Sequence, residues 1–127
     1  MMATIVALLE GADPIALMIQ EERRRFPTAT VVQAGHELVP IDDWRNAVLT
    51  LRMNGEVRVV LLDAAQPGAG ALTRLLDRLE ALRLRPVVVA PSARLAAALT
   101  RRGWRWRRGA REMCRRPARL DRADGRF

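Results

Sequence analysis

Few side chains here can do covalent or proton chemistry. All 22 basic residues are arginine and none is lysine, so a Schiff-base or phosphate-binding lysine is excluded and arginine must serve instead. His36 is the one histidine; with only Glu37 beside it, it reads as a loop residue rather than a metal ligand or base. The single cysteine, Cys114, reads as a buried structural thiol and excludes an internal disulfide framework. No Ser-His-Asp or Cys-His arrangement has motif support. What remains is acidic or cationic. Glu10, Asp13 and Asp63 fall at or after apolar runs, and Trp104-Arg105-Trp106-Arg107-Arg108 interleaves aromatics with arginines.

That interleaving could stack on bases and contact phosphates. It also fits a strand with its tryptophans buried and its arginines in water, which is the preferred reading. The charge is uneven. Residues 1–100 hold 11 arginines against 11 acidic residues, whereas residues 101–127 hold 11 against 3, which is the whole net charge of +8. Arg105, Arg107, Arg108, Arg111 and Arg115 are therefore the candidate contacts for a nucleic acid or an acidic partner, and such binding would be strongly salt-dependent. No helix-turn-helix, zinc-finger or RNP pattern accompanies them.

The elements that must position these groups alternate. Thr4–Leu9 predicts a strand, and Asp13-Pro14 a helix start with aspartate as N-cap and proline at the first position. That helix closes after Arg23-Arg24-Arg25 at Pro27, and Thr30–Ala34 predicts a second strand. Asp42 and Asp43 can cap a helix with Trp44, Ala47, Val48 and Leu51 at i, i+3, i+4 and i+7. The competing reading is a hairpin around Asn54-Gly55; capping and spacing favour the helix. Val57–Leu62 predicts a strand ending at Asp63, followed by a helix from about Leu72 to Leu84 with Leu72, Leu75, Leu76, Leu79 and Leu82 inward. Pro86–Ala90 predicts a fourth strand, Ser92 caps a helix that stops at Gly103, and a fifth strand lies within Trp104–Cys114. Apolar strands alternating with amphipathic helices predict an α/β domain with a mostly parallel five-stranded sheet covered on both faces. Its strand ends would carry Glu10–Asp13, Asp63 and Pro91-Ser92.

From Asp63 onward the chain resembles a response-regulator receiver domain. Asp63 ends the third predicted strand, Pro67-Gly68 follow four and five residues later, Pro86-Val87-Val88-Val89 match the fourth strand, and Gly109-Ala110 through Arg116-Pro117 the fifth. The resemblance implies a flavodoxin-like three-layer fold over residues 1–117 with an arginine-rich tail at 118–127. It implies Asp63 as phosphoacceptor, Glu10, Asp13 and Asp63 as candidate Mg²⁺ ligands, and Ser92 and Arg116 in the hydroxyl and lysine roles. The adjacent acidic pair is missing, the hydroxyl is one position late and arginine replaces lysine. The implied protein is a stand-alone, degenerate signalling or protein-interaction module with weak or absent phosphotransfer.

A second resemblance runs through GAGALTRLL, PVVVAPSARLAAALTRRGW and EMCRRP, which are similar to the C-terminal half of GNAT acetyltransferases. There a glycine-rich loop presents backbone N–H groups to the pyrophosphate of acetyl-CoA. Gln66 to Ala71 resembles that loop with its spacing off by one residue. Leu99 to Trp104 resembles the family's Tyr-x-x-x-Gly-Phe without the general-acid tyrosine, and the chain contains no tyrosine. This resemblance implies an acyl-CoA-dependent acetyltransferase or a remnant of one, and it requires the Asn54-Gly55 hairpin. A basic nucleic-acid accessory protein is the third expectation. Length, cysteine usage and the shortness of the apolar runs predict one cytoplasmic domain without a membrane segment; the receiver resemblance implies a protein partner, with a homodimer as a further expectation.

Overall fold

The Asn54-Gly55 pair decides the sheet. In the computed structural model, which describes residues 13–107, 109 and 111–115, Gly55 takes a left-handed φ of 88°. Asn54 Oδ1 accepts the Glu56 N–H at 3.0 Å. A tight reversal needs both, glycine for the positive φ and asparagine for the local backbone bond. The flanking segments pair antiparallel, so Trp44–Leu51 is a strand and not the expected helix. Asp43 caps nothing; its carboxylate is bound by Arg74.

The strands are β1 (Thr30–Gln33), β2 (Trp44–Leu51), β3 (Glu56–Ala64), β4 (Arg85–Val89), β5 (Arg105–Trp106) and β6 (Glu112–Cys114). They form one sheet in the order β1-β2-β3-β4-β6-β5. Among these six described strands only β3 and β4 pair in parallel; the other four strand pairings are antiparallel. The mostly parallel, five-stranded receiver-like sheet expected from the sequence is thereby overturned. Its premise was that strands buried on both faces run parallel. Here antiparallel strands are buried on both faces too.

The helices are α1 (Pro14–Arg25), α2 (Ala71–Ala81) and α3 (Ala93–Arg101). α1 begins as predicted, with Asp13 Oδ1 accepting the Ile15 N–H at 3.0 Å and Pro14 in the first turn. One core gathers Val32, Ala47, Leu49, Val57, Val59, Val88 and Met113 from the sheet with Leu75, Leu79, Leu99 and Trp104. Leu82, expected inward, lies just past α2 and is 56% exposed. The predicted last strand is two strands. Trp104 is buried, whereas Trp106, expected on the same buried face, is 52% exposed at the sheet edge.

Against the other face of β2 and β3 lies a chain of charges. Arg58 donates through Nε and Nη2 to the Glu22 carboxylate of α1 at 2.9 and 3.1 Å, and through Nη1 to Glu112 at 2.9 Å. Thr50 Oγ1 donates to Glu22 at 2.8 Å. Arg107 joins Glu112 to Glu56, which Arg52 also holds. The Phe26 ring lies under the Arg58 guanidinium, 4.5 Å from its centroid. Three arginines therefore meet three glutamates, and every carboxylate has a cationic partner. The predicted Thr4–Leu9 strand and the tail at 118–127 lie outside the described residues. Among the described residues no helix is long and apolar enough to cross a membrane.

Candidate functional site

The one parallel pair is also the place where the sheet opens. Glu56 to Val59 pair with Arg85 to Val88, and there the ladder stops. β3 continues to Ala64, while β4 ends at Val89. On the opposite side of β3, Leu49 pairs with Val59 and Val48 with Leu61, which leaves Val60 as an extra residue, a β-bulge. Bulges bend a strand and interrupt its pairing. Beyond them, the Ala90 N–H donates to Arg111 O at 2.7 Å, toward the β6 side. The strand ends thus part, and Val60, Leu61, Val89, Ala90 and Pro91 line the gap between them.

Beside this gap is a cleft of about 530 Å³ that reaches from the end of β3 across the N-termini of α2 and α3. Its walls are apolar at Trp44, Leu62, Leu72, Leu95 and Ala98. The N-terminus of α2 opens on it. Gly70 is the N-cap with φ 84°, and no side chain caps the helix. The N–H groups of Ala71, Leu72 and Thr73 therefore meet no chain acceptor among the described residues, and the helix dipole adds partial positive charge there. Arg74 braces the loop, donating to Ala69 O at 2.8 Å and to both oxygens of Asp43 at 2.7 and 3.2 Å. That hydrogen bond holds the Asp43 carboxyl below its ordinary range. Arg102, from just after α3, donates to Thr73 Oγ1 in the first turn of α2. Arg94 also lines the cleft and has no ion pair among the described residues.

Trp44 closes one side of the cleft. It lines the cleft and is 2% exposed, yet its indole Nε1 is buried without a hydrogen-bond partner among the described residues. Buried donors are nearly always paired. An uncapped helix N-terminus, two arginines and apolar walls suit a ligand with a phosphorylated end and a weakly polar body.

The sequence-predicted site residues fare differently. Asp63 and Ser92 do line this cleft. Asp63 Oδ2 accepts from Asn46 at 3.1 Å, and Ser92 Oγ accepts the Leu95 N–H at 3.2 Å as the N-cap of α3. Asp13 is occupied as the α1 cap; Glu10 lies outside the described residues. Among the described residues no group of three or more His, Cys, Asp or Glu is placed to hold a metal. Of the predicted contact arginines, Arg107 is tied to Glu56 and Glu112, and Arg115 to Glu80. Arg105 is exposed on β5 and Arg111 is exposed before β6. Arg108 and Arg116 lie outside the described residues. Sequence reasoning missed Trp44, Arg94, Arg102 and the bulge at Val60. Only the uncapped glycine loop at 66–71 carried a signal for this place.

No protein-family model, curated protein or solved structure matches the chain.

Proposed function

We propose that the cleft binds an acyl-coenzyme A thioester, and that the chain is a GNAT-type acetyltransferase or a remnant that keeps the ligand site. The observation that carries this reading is the parting of β3 and β4 at Val59 and Val88, followed directly along the chain by the uncapped N-terminus of α2. The pyrophosphate belongs at Ala71 to Thr73, where free N–H groups and the helix dipole meet it. Arg94 and Arg102 add charge-assisted donors for the phosphates. The pantetheine arm then runs along the end of β3, past Leu62 and Trp44, and brings the thioester to the gap. The β3–β4 ladder has ended there, which leaves backbone groups on that edge of β3 to polarise a carbonyl.

Transfer from a thioester to an amine needs a proton for the departing thiolate. With no tyrosine in the chain, the general acid of the resembled family is absent. Leu99, at the matching position, is fully buried in the core. The expected protein therefore binds the coenzyme well and transfers the acyl group slowly. The receiver reading has no comparable support, because the sheet it requires is not formed.

Thermal melts with coenzyme A and acetyl-CoA test the reading. A ligand at a hundredfold excess over its dissociation constant contributes about 2.7 kcal/mol, a rise of roughly 10 °C for a chain of this size. Both ligands raise the midpoint on this account, while adenosine without phosphates does not. An unchanged midpoint with either thiol or thioester at millimolar concentration contradicts it.

A further inference from the structure

The gap between the parted strands is a second, separate space. It measures about 270 Å³ and shares Leu62, Ser92 and Leu95 with the larger cleft, so the two adjoin. Its remaining lining comes from the free ends of β3 and β4 and the Ala90-Pro91 turn, and is aliphatic apart from backbone. The one polar side chain is Ser92, already engaged as a helix cap. No carboxylate lines it, so nothing there would hold a cationic amine. The nearest acid on the joint surface, Asp63, lines the larger cleft and is bonded to Asn46.

We infer that this wedge takes the acyl chain, and that the preferred thioester carries a medium-length aliphatic acyl group rather than acetyl. The inference rests on the coenzyme A reading above. Size decides it. An apolar cavity of about 150 Å³ accommodates benzene, a six-carbon molecule. A wedge of about 270 Å³ with one side open to solvent accommodates an acyl chain of roughly six to eight carbons on the same scale. An acetyl group leaves most of it as exposed aliphatic wall. Each methylene buried against Val60, Leu61 or Val89 tightens binding by roughly threefold to fourfold when fully desolvated. The open side reduces that, and a gain of at least tenfold from acetyl to hexanoyl is the expectation.

Isothermal titration of the full chain with coenzyme A, acetyl-CoA, hexanoyl-CoA and dodecanoyl-CoA tests it. The expected order places hexanoyl-CoA at least tenfold tighter than acetyl-CoA, with no further gain at dodecanoyl. Equal affinities for coenzyme A, acetyl-CoA and hexanoyl-CoA would overturn the wedge as an acyl site and leave the coenzyme reading standing. Failure of all four to bind would overturn both. Affinity that keeps rising through dodecanoyl-CoA would also refute a site of this volume. Val89→Phe and, separately, Val60→Phe narrow the wedge from opposite strands. Each is expected to bring the hexanoyl-to-acetyl affinity ratio toward one, provided its melt shows a folded protein. A ratio kept at tenfold in either folded variant places the chain elsewhere and refutes the assignment.

Discussion

Replacing Arg58 by methionine removes a cation from the least exposed ion pair among the described residues. The Arg58 and Glu22 side chains are 5% and 6% exposed, so little water is at hand to take over. With Arg58 gone, Glu22 keeps the Thr50 hydroxyl as its side-chain donor, whereas Glu112 keeps Arg107. The variant therefore strands one carboxylate, not two. Breaking a buried pair from one side costs about 3–5 kcal/mol, because the surviving charge stays buried. For a domain of this length each kcal/mol moves the midpoint by about 3–5 °C, so Arg58→Met should melt roughly 10–20 °C below the wild type. Methionine preserves most of the packing on Phe26, which separates the charge effect from a cavity. The double variant Arg58→Met/Glu22→Leu removes both charges and should recover most of the loss. Urea and thermal denaturation of the four proteins in the cycle measure this directly. A loss below about 1 kcal/mol in the single variant, the size of an exposed pair, would refute the reasoning. So would a double variant as unstable as the two single losses added together.

Acid should act through the same cluster. Burial pushes the Glu22 carboxyl up, but the hydrogen bonds from Arg58 and Thr50 and the guanidinium charge outweigh it and leave the carboxyl below its ordinary value. Glu56 behaves alike, burial being outweighed by Arg107 and Arg52. Because the folded values are depressed, these groups stabilise fully above an ordinary glutamate pKa of about 4.3, and the contribution is lost as pH falls through the folded values. The urea midpoint should therefore hold down to about pH 5 and fall below it, less steeply in Arg58→Met; a midpoint as high at pH 3 as at pH 7 would contradict this. At the cleft, Gly70→Ala should cost about 1–2 kcal/mol in urea denaturation and weaken coenzyme A binding. Alanine is strained at φ 84°, and its Cβ would sit 3.2 Å from Arg74 Nη1, which braces the loop. Gly68→Ala, with a similar φ and open space around it, should cost the strain alone; equal effects on binding at both positions would contradict the role given to Gly70.

The helices were legible because their signals are local. Asp13-Pro14 and Ser92 cap the elements they were expected to cap, and the leucines of α2 repeat at helical spacing over a single apolar face. The sheet was not, for two physical reasons. Trp44, Ala47, Val48 and Leu51 satisfy a helical spacing by coincidence. Ala47 and Leu49 face the core while Val48 and Thr50 are buried on the other face, so the twofold alternation of a strand is hidden. Double-sided burial also removed the contrast by which parallel and antiparallel strands are told apart. The site depended on the sheet. Arg58 interrupts an apolar run without any local partner, and its glutamates come from 36 and 54 positions away. The bulge at Val60 exists only in the register between β2 and β3, which no local pattern states.

The most direct test of the central claim is an amide correlation spectrum of ¹⁵N-labelled protein titrated with coenzyme A. On this account the largest shifts fall on Gly68 to Thr73 and on Val60 to Asp63, together with the indole N–H of Trp44. Shifts confined to Arg105, Arg107 and residues 111–115, or none at saturating coenzyme A, would contradict it.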